Sequence, residues 1–197
     1  APDGTSISAT FDALGQMTAA VDEQGNRTTV AYDPAGNVVA RTDRRGNTTR
    51  TTYDALDRIV AIENPDGGVA RRSYDPAGNL VSATDPRGGT VRTAYDNADR
   101  AVRNTDELGA VSTTTFDAVG NPVTRVDAEG ATWRMSYDAM NRLASTTSPL
   151  GDKDAYAYDA NGNLVALTKP DGAVTRRVYD GRDDLVGVVE NARDGVP

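Results

Sequence analysis

The chain lacks cysteine and histidine entirely, and its 197 residues include one Trp and two Phe. Without Cys or His there is no thiol nucleophile, no Cys/His zinc site and no imidazole base. No disulfide can staple the fold. Apolar runs reach only three or four residues, too short for a membrane-spanning helix. The first residues show no charged stretch followed by an apolar one, so no signal peptide is read. The net charge of −8 argues against nucleic acid and anionic lipid as partners. Large apolar residues are too scarce to predict a thick globular core.

What the chain does have is Gly, at 19 residues, and Asp, at 24 of its 29 acidic residues. Both recur in a strict frame. An aromatic residue followed by Asp occurs at Phe11, Tyr32, Tyr53, Tyr74, Tyr95, Phe116, Tyr137, Tyr158 and Tyr179, always 21 residues apart. The following acids are Asp12, Asp33, Asp54, Asp75, Asp96, Asp117, Asp138, Asp159 and Asp180. A second marker keeps the same period: Gly4, Gly25, Gly46, Gly67, Gly88, Gly109, Gly130, Gly151 and Gly172. Self-similarity at a fixed period marks a repeat architecture. The frame delimits one array over residues 1–190. It fails in 191–197, where Arg193 takes the next Gly position.

Each unit reads as turn, strand, turn, strand. In residues 33–53 the turns are Asp33-Pro34-Ala35-Gly36 and Asp43-Arg44-Arg45-Gly46. Asp at the first turn position caps through its side chain, and Pro at the second presets φ. Gly at the fourth tolerates positive φ, the signature of a type I turn followed by a G1 bulge. The segments between turns are rich in Thr and Val and run six or seven residues, a strand length. No stretch carries a 3.6-residue apolar period, so no helix is expected. The sequence therefore predicts an all-β fold, an antiparallel meander of about 18 strands in a curled sheet. The alternative is a β-solenoid with one 21-residue coil per turn.

Alternation sets the faces. The aromatic shares its face with the residues two and four before it, while Arg50, Arg71, Arg92, Arg134 and Arg176 fall on the other. Such a sheet has a modest apolar layer and polar surface on both sides. It reads as a wall rather than half of a sandwich.

The run Tyr74-Asp75-Pro76-Ala77-Gly78-Asn79-Leu80-Val81, and its counterpart from Tyr158 to Val165, resembles the YD repeat of the RHS family. The resemblance spans roughly residues 1–190. That family includes bacterial polymorphic toxins, cocoon components of insecticidal toxin complexes and the teneurin shell. The resemblance implies a sheet strip spiralling into a hollow shell, which in the bacterial members encloses a C-terminal toxin. It also implies a secreted or cell-surface bacterial protein. The family's self-cleaving core region and toxin domain are not found in these residues. Ala1-Pro2-Asp3-Gly4 reads as the second turn of a preceding unit. The expected partners are therefore the rest of a larger chain, other copies through open edge strands, and an enclosed polypeptide.

The nine repeated Asp read as turn caps rather than acid/base groups, and neither calcium nor any cofactor is expected. The aromatics read as a packing column. Trp133 breaks its slot, which elsewhere holds Thr28, Thr49, Ala70, Val91, Ser112, Asp154 and Thr175, and is the candidate partner contact. A longer period also appears. The fourth position of the first turn alternates through Gly36, Asp57, Gly78, Asp99, Gly120, Asn141, Gly162 and Asp183. The next residue alternates between Asn37, Asn79, Asn121 or Asn163 and Arg58, Arg100 or Arg142. The true period is thus 42 residues, and the three Arg are expected to pair with acids of a neighbouring turn. The function read from the sequence is a non-catalytic shell segment. The alternatives are a carbohydrate- or protein-binding adhesin module and a self-assembling β filament.

Overall fold

The computed structural model describes residues 7–190. Gly4 and the end of the frame in 191–197 lie outside the described residues. All regular structure within them is β, and they fall into two compact units. The first holds β1 (Ser8–Phe11), β2 (Met17–Val21), β3 (Arg27–Tyr32), β4 (Val38–Thr42), β5 (Thr48–Tyr53), β6 (Ile59–Glu63), β7 (Val69–Tyr74), β8 (Leu80–Thr84) and β9 (Thr90–Tyr95). The second holds β10 (Ala101–Thr105), β11 (Val111–Phe116), β12 (Pro122–Val126), β13 (Thr132–Tyr137), β14 (Leu143–Thr147), β15 (Lys153–Tyr158), β16 (Leu164–Thr168), β17 (Val174–Tyr179) and β18 (Leu185–Val189). Within each unit every strand pairs antiparallel with the one before it. Antiparallel neighbours exclude the parallel stacking of a solenoid.

Two kinds of kink set the register. The first is the G1 bulge at each turn. Gly46 N–H donates to Asp43 O at 3.0 Å, and Asp43 N–H donates to Asn47 O at 2.9 Å. Gly46 has φ 86°, where an added Cβ is strained. The second departs from the strict alternation expected of the sequence. At the aromatic, pairing jumps from Ala31↔Ala40 to Tyr32↔Val38 and leaves Val39 as an extra residue. The same shift recurs at Tyr53, Tyr74, Phe116, Tyr137, Tyr158 and Tyr179. It accounts for the adjacent apolar pairs that open these strands. Val38 and Val39 are both half-buried, which strict alternation would not give.

The other hairpin type is shorter. Its ladder runs Thr42↔Thr48, Arg41↔Thr49, Ala40↔Arg50 and stops. Beyond that point the aromatic takes over. Tyr53 O–H donates to Val38 O at 3.2 Å, spanning from one strand to the next. Tyr32, Tyr74, Tyr95, Tyr137, Tyr158 and Tyr179 do the same to Met17, Ile59, Leu80, Pro122, Leu143 and Leu164. Each acceptor is also the residue that pairs with the preceding aromatic at its bulge. A tyrosine column thus stitches the strand ends that lie beyond the short ladder.

Burial is thin. Only Ala19, Val174 and Ser145 are buried among the described residues, and none of those residues has a large, fully buried side chain. In β5 the aromatic-side residues Thr49, Thr51 and Tyr53 are half-buried, while Arg50 and Thr52 are exposed. Each unit therefore depends on ladders, turns and the tyrosine column more than on a core. Replacing Tyr74 with Phe keeps the ring and removes the bond to Ile59 O. Urea unfolding should show a loss of about 0.5–1.5 kcal/mol; an unchanged midpoint would show that the hydroxyl contributes nothing.

Candidate functional site

The residues that repeat most strictly gather at the turns. Each Asp after the aromatic folds its carboxylate back over its own turn. Asp33 Oδ1 accepts from Ala35 N–H at 3.0 Å and Asn37 N–H at 2.9 Å. Asp12, Asp54, Asp96, Asp138, Asp159 and Asp180 accept from the same two positions of their turns. Asp117 also accepts from Gly120 N–H, and Asp75 from Asn79 N–H. In the second turns Asp22, Asp43, Asp85 and Asp127 act alike. Where the first position is Asn64 or Lys169, the third supplies the carboxylate: Asp66 caps Gly68 N–H and Asp171 caps Ala173 N–H. No group of three or more acids able to hold a metal ion occurs among the described residues.

The 42-residue period has a physical basis in alternating junctions between first turns. At one junction Asn37 Nδ2 donates to Asp57 Oδ1 of the next turn at 2.6 Å. Asn79 to Asp99, Asn121 to Asn141 and Asn163 to Asp183 repeat it. The acceptors Asp57, Asp99, Asn141 and Asp183 have φ between 57° and 65°, a left-handed conformation that Asp and Asn tolerate better than other non-Gly residues. At the other junction Arg58 lies over the Tyr74 ring at 4.5 Å, and Arg142 over Tyr158 at 4.7 Å. The expected pairing of these Arg with acids of a neighbouring turn is corrected. Arg58, Arg100 and Arg142 bind Asp54, Asp96 and Asp138 of their own turns at 2.7–2.8 Å. The reach of four residues across a tight turn is shorter than the crossing to the next one. What crosses is the guanidinium face, together with Arg142 Nη1 donating to Asp159 O at 2.9 Å.

These contacts set the titration of the turns. The Arg58 side chain holds Asp54 below the ordinary aspartate value, as the Arg100 side chain does for Asp96. Asn37 backbone N–H does so for Asp33, and the Asn26 and Asn47 side chains do so for Asp22 and Asp43. At Asp75, Asp117 and Asp159 desolvation pushes upward, and the turn's hydrogen bonds outweigh it.

Trp133 faces a different setting. It pairs across the ladder with Arg125, and Met135 pairs with Thr146. With Asp127 these residues line a concavity of about 470 Å³ on the aromatic side of the second unit. Trp133 is 36% exposed and counts among the exposed large apolar side chains.

The class defined by these features is a tandem-repeat antiparallel sheet in which each hairpin is closed by a side-chain-capped turn. The RHS repeat family matches residues 11–47, 32–69, 74–111, 116–153 and 158–194, and the chain belongs to that family. The last four matches start 42 residues apart, the period of the alternating junctions. Among solved structures, the crystal structure of TcdB2-TccC3-TEV aligns with 96% of this chain at TM-score 0.60 and 16% identity. The Photorhabdus luminescens Tc holotoxin pore aligns with 94% at TM-score 0.42 and 16% identity. The chain spans only 11% and 14% of those two chains. The first of these likenesses shows the fold. A comparison with curated proteins gives no match.

Folding lowers these aspartate pKa values, so their charged forms stabilise the fold above the unfolded value. That contribution is complete at neutral pH and is lost as pH falls through the folded values, from about pH 4 downward. Urea midpoints should hold between pH 7 and 5 and drop below pH 4. Flat midpoints down to pH 2.5 would contradict the capping account.

Proposed function

We propose that the chain is a non-catalytic wall segment of an RHS-type β-shell, which encapsulates or presents a toxin or other polypeptide. One observation carries this reading: family repeats run through described units that are a single sheet thick and hold no fully buried large side chain. A structure with so little interior gains its use from area, as a barrier with two wet faces. In this reading residues 1–190 act as one array, a piece of a longer secreted or cell-surface bacterial protein. The repeated Asp, Gly and aromatic residues are its framework and not a reactive site. Its partners are the rest of that chain and the polypeptide it encloses.

The test uses the full-length protein in which this array occurs. Deleting one 42-residue block should open the wall, and limited proteolysis should then digest an enclosed polypeptide that the intact protein shields. Equal digestion with and without the deletion would count against enclosure. A second reading rests on Trp133, whose ring beside Arg125 and Asp127 suits a protein- or carbohydrate-binding module. Saturable binding to a glycan array, abolished by Trp133→Ala, would favour it.

A further inference from the structure

We propose that the face of the first unit opposite the tyrosines binds an acidic polypeptide segment through Arg71, with Arg92 as the adjoining cation. This rests on an open face and not on the wall reading.

The face is laid out by register. Arg50, Arg71 and Arg92 lie directly across from small residues, in the pairs Ala40↔Arg50, Ala61↔Arg71 and Ser82↔Arg92. The small residues keep the surface low beside each guanidinium. Around Arg71 this produces a concavity of about 430 Å³ whose lining includes Thr52, Ala61, Ser73, Ser82 and Thr84. Four hydroxyl residues line it together with Arg71 and Arg72, a donor-rich set without an acid.

Arg50 stands across β5 and β6 from Glu63, and their charged ends meet at 3.8 Å. The same slot across from Arg71 is Thr84, whose hydroxyl is engaged by Thr90 at 2.9 Å. Arg71 thus occupies the setting of Arg50 without its carboxylate. Among the described residues neither Arg71 nor Arg92 has an ion-pair partner. In a chain of net charge −8 that leaves unmatched cations on one face. A ligand carboxylate suits the guanidinium fork, and the hydroxyls can donate to its remaining lone pairs.

Spacing indicates the form of the ligand. Arg71 and Arg92 lie on alternate strands, two strand spacings or ~9.6 Å apart. A polyproline II segment advances ~9.3 Å in three residues and returns to the same side. An acidic residue at every third position of such a segment would meet successive arginines. The overall negative charge of the chain disfavours the dense phosphates of nucleic acid.

The experiment titrates the intact chain into a fluorescein-labelled (Glu-Pro-Pro)4 peptide at low salt and reads anisotropy. Wild type should bind saturably and ignore (Lys-Pro-Pro)4. Arg71→Ala should weaken binding about tenfold. Thr84→Glu should do likewise by supplying Arg71 with its own carboxylate. Glu63→Gln should tighten binding by freeing Arg50, a gain that loss of folding cannot mimic. Absent saturable binding, or affinities unchanged by both Arg71→Ala and Thr84→Glu, would overturn the proposal. So would heparin fragments that bind the same site more tightly than the peptide, because the site would then belong to sulfated polysaccharide.

Discussion

The regular structure in this protein depends above all on one short contact, in most turns an aspartate oxygen accepting two backbone N–H groups of its own turn. That bond fixes a type I turn and hands the next residue a left-handed conformation. The G1 bulge follows, and the bulge sets the register of both flanking strands. Substitutions in the repeat confirm which part matters. When Asn64 or Lys169 replaces the first Asp, Asp66 or Asp171 supplies an oxygen from two residues on. The chemistry persists while its source moves.

The tyrosines solve a different problem. A strand with a bulge at one end cannot keep full pairing with both neighbours, and the second-turn hairpins run out of ladder after three pairs. The phenol hydroxyl crosses that gap and donates to a carbonyl of the preceding strand. The ring meanwhile gives Arg58 and Arg142 a surface to cover. One side chain therefore packs, accepts a cation and completes backbone bonding. Burial contributes little by comparison, which suits a layer open to water on both sides.

Strand order, turn chemistry and fold class were legible in the sequence because they are local. Asp-x-x-Gly is a mechanism confined to four residues, and the 21-residue frame multiplies it. The bulge at the aromatic was signalled by adjacent apolar pairs such as Leu80-Val81, yet periodicity alone gives no reason for them. The hydroxyl bonds had a fainter signal, Tyr in seven of nine aromatic slots, where packing alone would accept Phe equally. The 42-residue alternation was visible in the letters, but its contacts were misassigned. Sequence shows that Asn and Arg alternate; only geometry shows that Arg58 turns back to Asp54 while Asn37 reaches forward to Asp57. The unmatched state of Arg71 was equally hidden, since it depends on what stands across the sheet.

The short reach of these contacts makes length a free variable. Side-chain hydrogen bonds between turns reach only 20 to 22 positions along the chain, as from Asn37 to Asp57 and from Asn161 to Asp183. A chain built this way has low contact order, and each hairpin can close as soon as its own residues are available. Two units of the repeat can be gained or lost without depriving any distant residue of its partner. A single unit cannot, because Asn would then face Gly and Arg would meet the wrong turn. Gain or loss in steps of 42 residues therefore preserves the junctions of Asn37 and Arg58, and length is set by counting modules rather than by closing a core.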